Sequence, residues 1–463
     1  MDNHYFKRGL FLLFFIASGS VNSAIMAPDS DAFAPVVHDA SNENTPKEIF
    51  PLMNLPADTP APLRTEVKSF TSEREWHDLR AKILKDFGHR LSADFQIPDG
   101  LKERTEFWFD IYARYGEAHH VVHHVRYPWI VYKVVDTTDM LHNGKGPLWL
   151  RRDRGNKLAI KTAGDVRAAL RKLAQRSNYN NLPPLEKELY DKLLPLKGSR
   201  KSVFRLAAES VRSQLGQKDF FQRGLINSSR YLPYMEEEFK KLGLPLELTR
   251  MPFVESSFNE NAYSKVGASG IWQIMPRTGK AYMIVDPHID ERNSPLKATQ
   301  AAGRLLRSYY RAMGSWPLTI TSYNHGIGNI QTAIKRAGSR DLPTIIERYH
   351  AGDFRFASSN FYTCFLAALY AEKYHELIFK NIPREPLQEV EVIKLAGRTK
   401  AHFLPKVTGL QKDELLKYNL DLRAAFKSNG SVPKGFQLHL PPGYKDRMMR
   451  QIGAEEKRGK TRG

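Results

Sequence analysis

Glu255 lies in the run Met251-Pro-Phe-Val-Glu-Ser-Ser-Phe-Asn259, an ionisable carboxyl among apolar and hydroxyl neighbours, and Gly267-Ala-Ser-Gly-Ile-Trp-Gln-Ile-Met-Pro276 follows at short range. Such a carboxyl suits acid chemistry. It can donate a proton near neutral pH when a water-poor pocket raises its pKa, and Phe253, Val254 and Phe258 offer walls for one. Cleaving a glycosidic bond needs that proton on the leaving oxygen, and most glycosidases pair the acid with a second carboxylate as nucleophile or base. The nearest acidic residues downstream are Glu260, Asp286, Asp290 and Glu291. Glu260, inside Asn259-Glu-Asn261, reads as a solvated loop residue, and Asp290-Glu291 as a structural turn with Arg292. A single effective carboxyl is the economical expectation.

Other reactive residue types carry less. His119 with His123, and His120 with His124, have the i,i+4 spacing with which a helix binds zinc. Pro128 and the valine content of the segment argue for extended chain instead, and no Glu sits between the pairs as in a zinc protease. A polar strand or loop face is expected there, and no metal or cofactor. The single cysteine, Cys364, lies in the apolar run Phe361 to Leu369 and reads as packing; with one cysteine no intramolecular disulfide is possible.

The elements that must hold Glu255 are helical. Leu232, Met235, Phe239 and Leu242 line one face of a helix that stops at Gly243, with Pro245 opening the next segment. Pro252 predicts a kink just before Glu255, placing the carboxyl near the end of a broken helix. Ser294-Pro295 opens another helix with Ala298, Ala302, Leu305 and Tyr309 on one side and Gly314 at its end. Upstream, Trp76, Leu79, Ile83 and Phe87 predict an amphipathic helix, the second half of His119–Val135 reads as strand, and helices are expected around 163–176 and 184–194. Phe204, Ala207, Val211 and Leu215 extend the helical reading over Ser202 to Leu215.

The chain has 463 residues, too many for one ordinary core, and a formal net charge of +20. An anionic polymer or surface is therefore a fitting partner, whether nucleic acid, anionic lipid or an acidic cell-wall polymer. Lys7 and Arg8 precede an apolar run from Gly9 to Ala17 that is far short of the roughly 20 residues a spanning helix needs, so residues 1–23 read as a secretory signal peptide. Export to the periplasm or cell envelope follows. No cysteine follows the signal to carry a lipid, so a lipoprotein is not expected. Export, and the lack of any basic-aromatic reading motif, argue against nucleic acid.

Glu255-Ser256, Gly270-Ile-Trp-Gln273 and Ser322-Tyr-Asn-His-Gly326 resemble, in order, the three signature elements of lytic transglycosylases with a lysozyme-like SLT domain. The D-type membrane-bound murein transglycosylases share more: Arg223-Gly-Leu-Ile-Asn-Ser-Ser-Arg-Tyr-Leu-Pro233, Leu244-Pro-Leu-Glu-Leu248, Asp290-Glu-Arg292 and Ala298-Thr-Gln-Ala-Ala302. The resemblance implies that Glu255 protonates the oxygen between N-acetylmuramic acid and N-acetylglucosamine in peptidoglycan, then acts as base. The substrate supplies the nucleophiles, its 2-acetamido group and its 6-hydroxyl, and a 1,6-anhydro end results. It further implies that Ser264 lies near the acetamido group, that Gln273 and Met275 contact the sugars, and that Tyr323 and Asn324 are the family's Tyr-Asn pair. Tyr362 stands where a later helix brings a tyrosine to the catalytic glutamate. Trp272 stands where many relatives have Met, as a sugar-stacking platform or a core aromatic on a helix, and Ser322 where they have Ala. His325 reads as a helix-start polar residue in preference to a second base.

The expected fold is mainly α, α+β overall. After the signal come a disordered linker over 24–65, a mainly helical region of no derivable function over 66–200, and a lysozyme-like transglycosylase domain over 201–380. Residues 387–444, ordered strand, helix, helix, strand, are similar to a degenerate glycan-binding LysM module in which Asn419-Leu replaces the usual Asn-Pro; 445–463 is a basic tail. Two rivals stay open: a goose-type lysozyme hydrolysing the same bond with water, and a non-catalytic wall-binding protein.

Overall fold

Helices dominate the computed structural model, which describes residues 72–350 and 354–445; the expected signal peptide, linker and basic tail fall outside these residues, apart from Lys445. Ser72 accepts a hydrogen bond from the Glu75 amide and so starts the helix Glu73–Leu84, which buries Trp76 and Ile83. The Trp76 indole donates to Asp110 Oδ1 at 2.8 Å, tying this helix to Lys102–Ala113, whose aromatic side Phe107, Trp108, Phe109 and Tyr112 is buried. That second helix lies along the apolar helix Phe356–Lys373. One core therefore runs from Trp76 through Trp108 to Phe253, Trp272, Leu306 and Phe365, across the sequence division drawn at 200/201.

Three strands form an antiparallel sheet in the order β2 (Val131–Asp136), β1 (His119–His124), β3 (Val211–Leu215). Two expectations change here. The histidines form a buried central strand, not a polar face: His120, His123 and His124 are all buried, and His123 sits between the rings of Phe107 and Phe356 at 4.8 and 5.4 Å. The helix predicted over Ser202 to Leu215 ends early, as Arg200–Glu209, and Val211–Leu215 pairs with β1 instead. Pairing of all five residues with β1, from His120 opposite Leu215 to His124 opposite Val211, outweighs a helical period of four residues. The helix expected around 163–176 is the last part of a longer one, Leu148–Gln175, which closes a second core with Pro184–Leu193 and Arg200–Glu209 against the sheet.

The segments around Glu255 follow their sequence signals closely. Leu232–Lys241 ends before Gly243 at φ 65°, and Pro295–Met313 ends at Gly314 at φ 58°. Beyond residue 390, β4 (Glu391–Lys394) pairs antiparallel with the closing strand, with a second small pair between them: β5 (Thr399–Lys400) with β6 (Ser431–Val432), then β7 (Gln437–Leu440). Helices Leu404–Thr408 and Lys412–Tyr418 fill the middle, and Asn419 clamps β7 by accepting from the His439 amide and donating to the His439 carbonyl. The expected strand, helix, helix, strand order is present, and the described residues are mainly α with small sheets.

Candidate active site

A 3-10 turn, Leu246–Arg250, runs into the short helix Met251–Glu255 with Pro252 in its first turn, where a missing N–H costs nothing. Arg250 anchors the junction. Its Nε donates to Glu372 Oε2 at 3.1 Å, and its guanidinium also pairs with Glu236. Burial pushes the Glu372 carboxyl up, but the charges of Arg250 and Lys373 and the Arg250 hydrogen bond together outweigh it and hold that carboxyl below its usual range. Glu255 ends the helix, 3 % exposed, and Phe253, Val254 and Phe258 beside it in sequence are also buried. Two and three residues after it, Ser257 and Phe258 both have positive φ, 50° and 54°, an uncommon conformation for residues with a Cβ. The Phe258 amide bonding back to Pro252 O, and its ring edge-on to Phe253 at 4.8 Å, hold this turn.

The second motif is a folded loop against that turn. Ser256 Oγ donates to Ile271 O at 2.9 Å, and the backbone bridges Tyr263 to Ser269 and Ser269 to Ile274. Gln273, at φ 46°, uses its side-chain amide to donate to Ala262 O and Gly270 O, and its buried Oε1 has no protein partner among the described residues. Gly270 at φ 74° is required twice over, since a Cβ there would lie 1.9 Å from Arg292 O. Ser264 is half-buried and accepts from the Ala268 amide at 2.8 Å, which leaves its own proton to donate. Met275 is half-buried at the start of the helix Pro276–Lys280.

The third motif ends the helix Trp316–His325. Tyr323 donates to Trp272 O at 2.8 Å, so the three motifs are tied in sequence, Ser256 to Ile271 and Trp272 to Tyr323. Burial first, then the charge of Glu255, pushes the Tyr323 phenol well above its usual value. Asn324 and His325 share Ser358: its hydroxyl donates to Asn324 Oδ1 at 3.1 Å and lies 2.9 Å from His325 Nδ1. His325 is thus the last residue of a helix, not a helix-start residue, and its ring packs edge-on against Phe354.

Trp272 is fully buried in a loop, stacked on Phe239 at 5.7 Å, with its indole donating to Thr299. It is a core residue, not a sugar platform. Glu260 is not a solvated loop residue either: it accepts from Tyr231 and pairs with Arg230, a structural role that leaves it no freedom as a second base. Asp290 chelates Arg292 as the sequence suggested.

Tyr362 lies on Phe356–Lys373, the helix packed against Met251–Glu255, and is buried beside Phe365. Burial pushes its phenol up, with Tyr370 and Asp94 adding; the Glu255 charge acts on the phenols of Tyr323 and Tyr112. For Tyr112, burial acts first, then Cys364, then Glu255. Sequence reading gave residues 66–200 no role at this site. Nothing local marks Tyr112 among the aromatics of its helix; only the packing of Lys102–Ala113 on Phe356–Lys373 brings it near.

Residues 234–346 match the transglycosylase SLT domain family. Among known proteins, the chain is 32 % identical over 138 residues to membrane-bound lytic murein transglycosylase D of Escherichia coli strain K12, covering 29 % of this chain and 30 % of that one. It is 34 % identical over 119 residues to a protein of Alteromonas sp. strain M-1 named for tributyltin chloride resistance, covering 25 % of this chain and 58 % of that one. The matches thus span less than two thirds of either relative. The solved 70 kDa soluble lytic transglycosylase SLT70 of Escherichia coli aligns with a TM-score of 0.26 at 15 % identity, over 67 % of this chain and 58 % of that chain.

Proposed function

We propose that the chain is a peptidoglycan lytic transglycosylase that cleaves the β-1,4 bond between N-acetylmuramic acid and N-acetylglucosamine without water. The observation that carries this reading is the joining of three motifs around one buried carboxyl: Ser256 to Ile271 and Tyr323 to Trp272 hold the acid helix, the loop and the Tyr-Asn helix together. The SLT match over 234–346 and the kinship with a murein transglycosylase support it.

In this mechanism Glu255 protonates the glycosidic oxygen, the C1–O bond breaks, and the muramoyl 2-acetamido oxygen stabilises the anomeric cation. The resulting Glu255 carboxylate then takes the proton of the muramoyl 6-hydroxyl. That oxygen bonds to C1, closing the 1,6-anhydro ring and returning Glu255 to its acid form. Glu260 is bound to Tyr231 and Arg230, Asp286 to the amides of His288 and Ile289, Asp290 to Arg292, and Glu291 to Lys297 and the Ile284 amide, which favours Glu255 for the base role. Ser264, Gln273, Met275, Tyr323, Asn324 and Tyr362 would hold the sugars and the acid. The site of action would be the periplasm or cell envelope; among the described residues no helix is long and apolar enough to cross a membrane.

The test is a digest of purified sacculi read by mass spectrometry. Anhydro-muramoyl ends are expected from the native chain, and reducing muramoyl ends would assign a lysozyme instead. Glu255→Gln keeps the shape but removes the proton, and should cut turnover by about 10²–10⁴-fold, the usual contribution of a general acid. Unchanged turnover in that variant would remove Glu255 as the acid, and a native chain that releases no product at all would leave a wall-binding protein as the reading.

A further inference from the structure

The segment expected to bind glycan as a separate module is built into the loop that frames Glu255. Ile289, from the stretch just before Arg292, belongs to the same core as Leu404, Leu415, Leu422 and Leu438. His288 Nδ1 lies 2.9 Å from Ser428 Oγ, and a Cβ added at Gly430 would fall 2.8 Å from the His288 ring. At the centre is a buried ion pair. Asp421 Oδ2 lies 2.6 Å from Lys297 Nζ, which also reaches Glu291 at 3.1 Å and sits 3.6 Å from the centre of the Phe436 ring.

From Asp421 the contacts run without a gap to the substrate loop. The Asp421 carbonyl accepts from the Asp290 amide at 3.1 Å. Asp290 holds the Arg292 guanidinium through both oxygens at 2.8 and 2.7 Å. Arg292 Nη1 then donates to Gly267 O at 2.7 Å and Ile274 O at 2.9 Å, the two ends of the loop that carries Gln273. The same residue's carbonyl is the atom that forbids a side chain at Gly270.

We infer that the C-terminal segment is a brace for the substrate loop, with Asp421 and Lys297 as positioning residues that act through Asp290 and Arg292. This deepens the transglycosylase reading and rests on it. Buried charges are poor sources of net stability but are well suited to fixing one docking geometry. A loop held through arginine to its own carbonyls needs that geometry, because a displacement of about 1 Å can lower turnover by roughly a hundredfold.

The experiment uses the full chain with Asp421→Asn, which keeps the shape and the backbone carbonyl but removes the charge. Turnover is measured on sacculi and on a soluble tetrasaccharide of the glycan. Amide exchange is followed at Ser269 and Ile274. A brace predicts that kcat on the tetrasaccharide falls roughly tenfold with KM little changed, and that both amides exchange faster while those of Phe356–Lys373 do not. Tetrasaccharide kcat unchanged, with only sacculus binding weakened, would mark the segment as an independent binding module and overturn the inference. Should Asp421→Asn fail to fold, Phe436→Leu removes the ring under Lys297 and leaves the ion pair; it should shift the same readouts in the same direction, and no shift overturns the brace. If the native chain releases no product from either substrate, the transglycosylase reading fails, while loop exchange still decides the brace.

Discussion

At the scale of single residues, the site separates side chains that face chemistry from those that hold the frame. Gln273, read from sequence as a sugar contact, spends its amide hydrogens on Ala262 O and Gly270 O, so its loss would open the loop before it touched any substrate. The histidines of β1 are a second case. Burial lowers His120 and His124 to about 4 and His123 to about 3, from an ordinary 6.5, so all three are neutral in the folded protein. Between pH 6.5 and these folded values the unfolded chain binds more protons, so the stability these histidines allow is complete above pH 6.5 and is lost as pH falls toward 4 and 3. Glu372, held below its usual value, adds a loss in the same direction at lower pH, while the raised carboxyls of Asp110 and Asp421 act in the opposite sense there. His119 and His439, also lowered by burial, act with the histidines of β1, so replacing one of them isolates its share of the profile. The melting temperature should drop between pH 6.5 and 5, and His123→Phe, packed between Phe107 and Phe356, should make that drop shallower. Parallel pH profiles for the two proteins would remove His123 from the account.

At the scale of elements, the acid helix is one and a half turns long and cannot position a carboxyl alone. Its rigidity is borrowed: Arg250 ties its start to Glu372, and Ser256 ties its end to Ile271. The loop is in turn closed over Arg292, which makes Gly270 its tightest point. Gly270→Ala adds one methyl where φ is 74° and a carbonyl lies 1.9 Å away, so the loop must shift. We expect a loss of at least ~2 kcal/mol in urea unfolding together with a turnover loss, since this combines backbone strain with a steric clash. A stable and fully active Gly270→Ala protein would show that the loop tolerates movement. The elements legible in sequence were those with strong local punctuation, such as Pro295–Met313 between Ser294 and Gly314. Val211–Leu215 was not, because its apolar spacing also fits a helix and only pairing with β1 decides between them.

For the whole molecule, the helices before residue 114 share the hydrophobic core of the segment that carries Glu255 and are not an appendage to it. Arg104 and Trp108 both donate to Asn360 Oδ1 at 2.9 Å, and Tyr374 donates to Asp86 Oδ1 at 2.5 Å. Trp108, Tyr112 and Phe109 are each fully buried in the core shared with Phe221, Phe253 and Phe365. A fragment of residues 201–380 would expose that aromatic surface. It should express as an aggregating or molten protein with no cooperative thermal transition, whereas the chain from residue 72 onward should melt cooperatively. A soluble 201–380 fragment with a sharp transition by circular dichroism would restore the boundary at 200/201 as a folding boundary.

The amino-acid sequence by itself determined the kinship of the central segment, the order of its three motifs and the single carboxyl on which the proposed chemistry turns. Reaction chemistry depends on residue type at short spacing, and short spacing is what a sequence displays. Tertiary structure alone decided that Trp272 is core and Glu260 a structural partner, that Tyr112 reaches the field of Glu255 from a distant helix, and that Asp421 is connected through Asp290 and Arg292 to the substrate loop. Each of these is a contact between residues far apart in the chain, where burial and charge pairing choose among partners that no local period can distinguish.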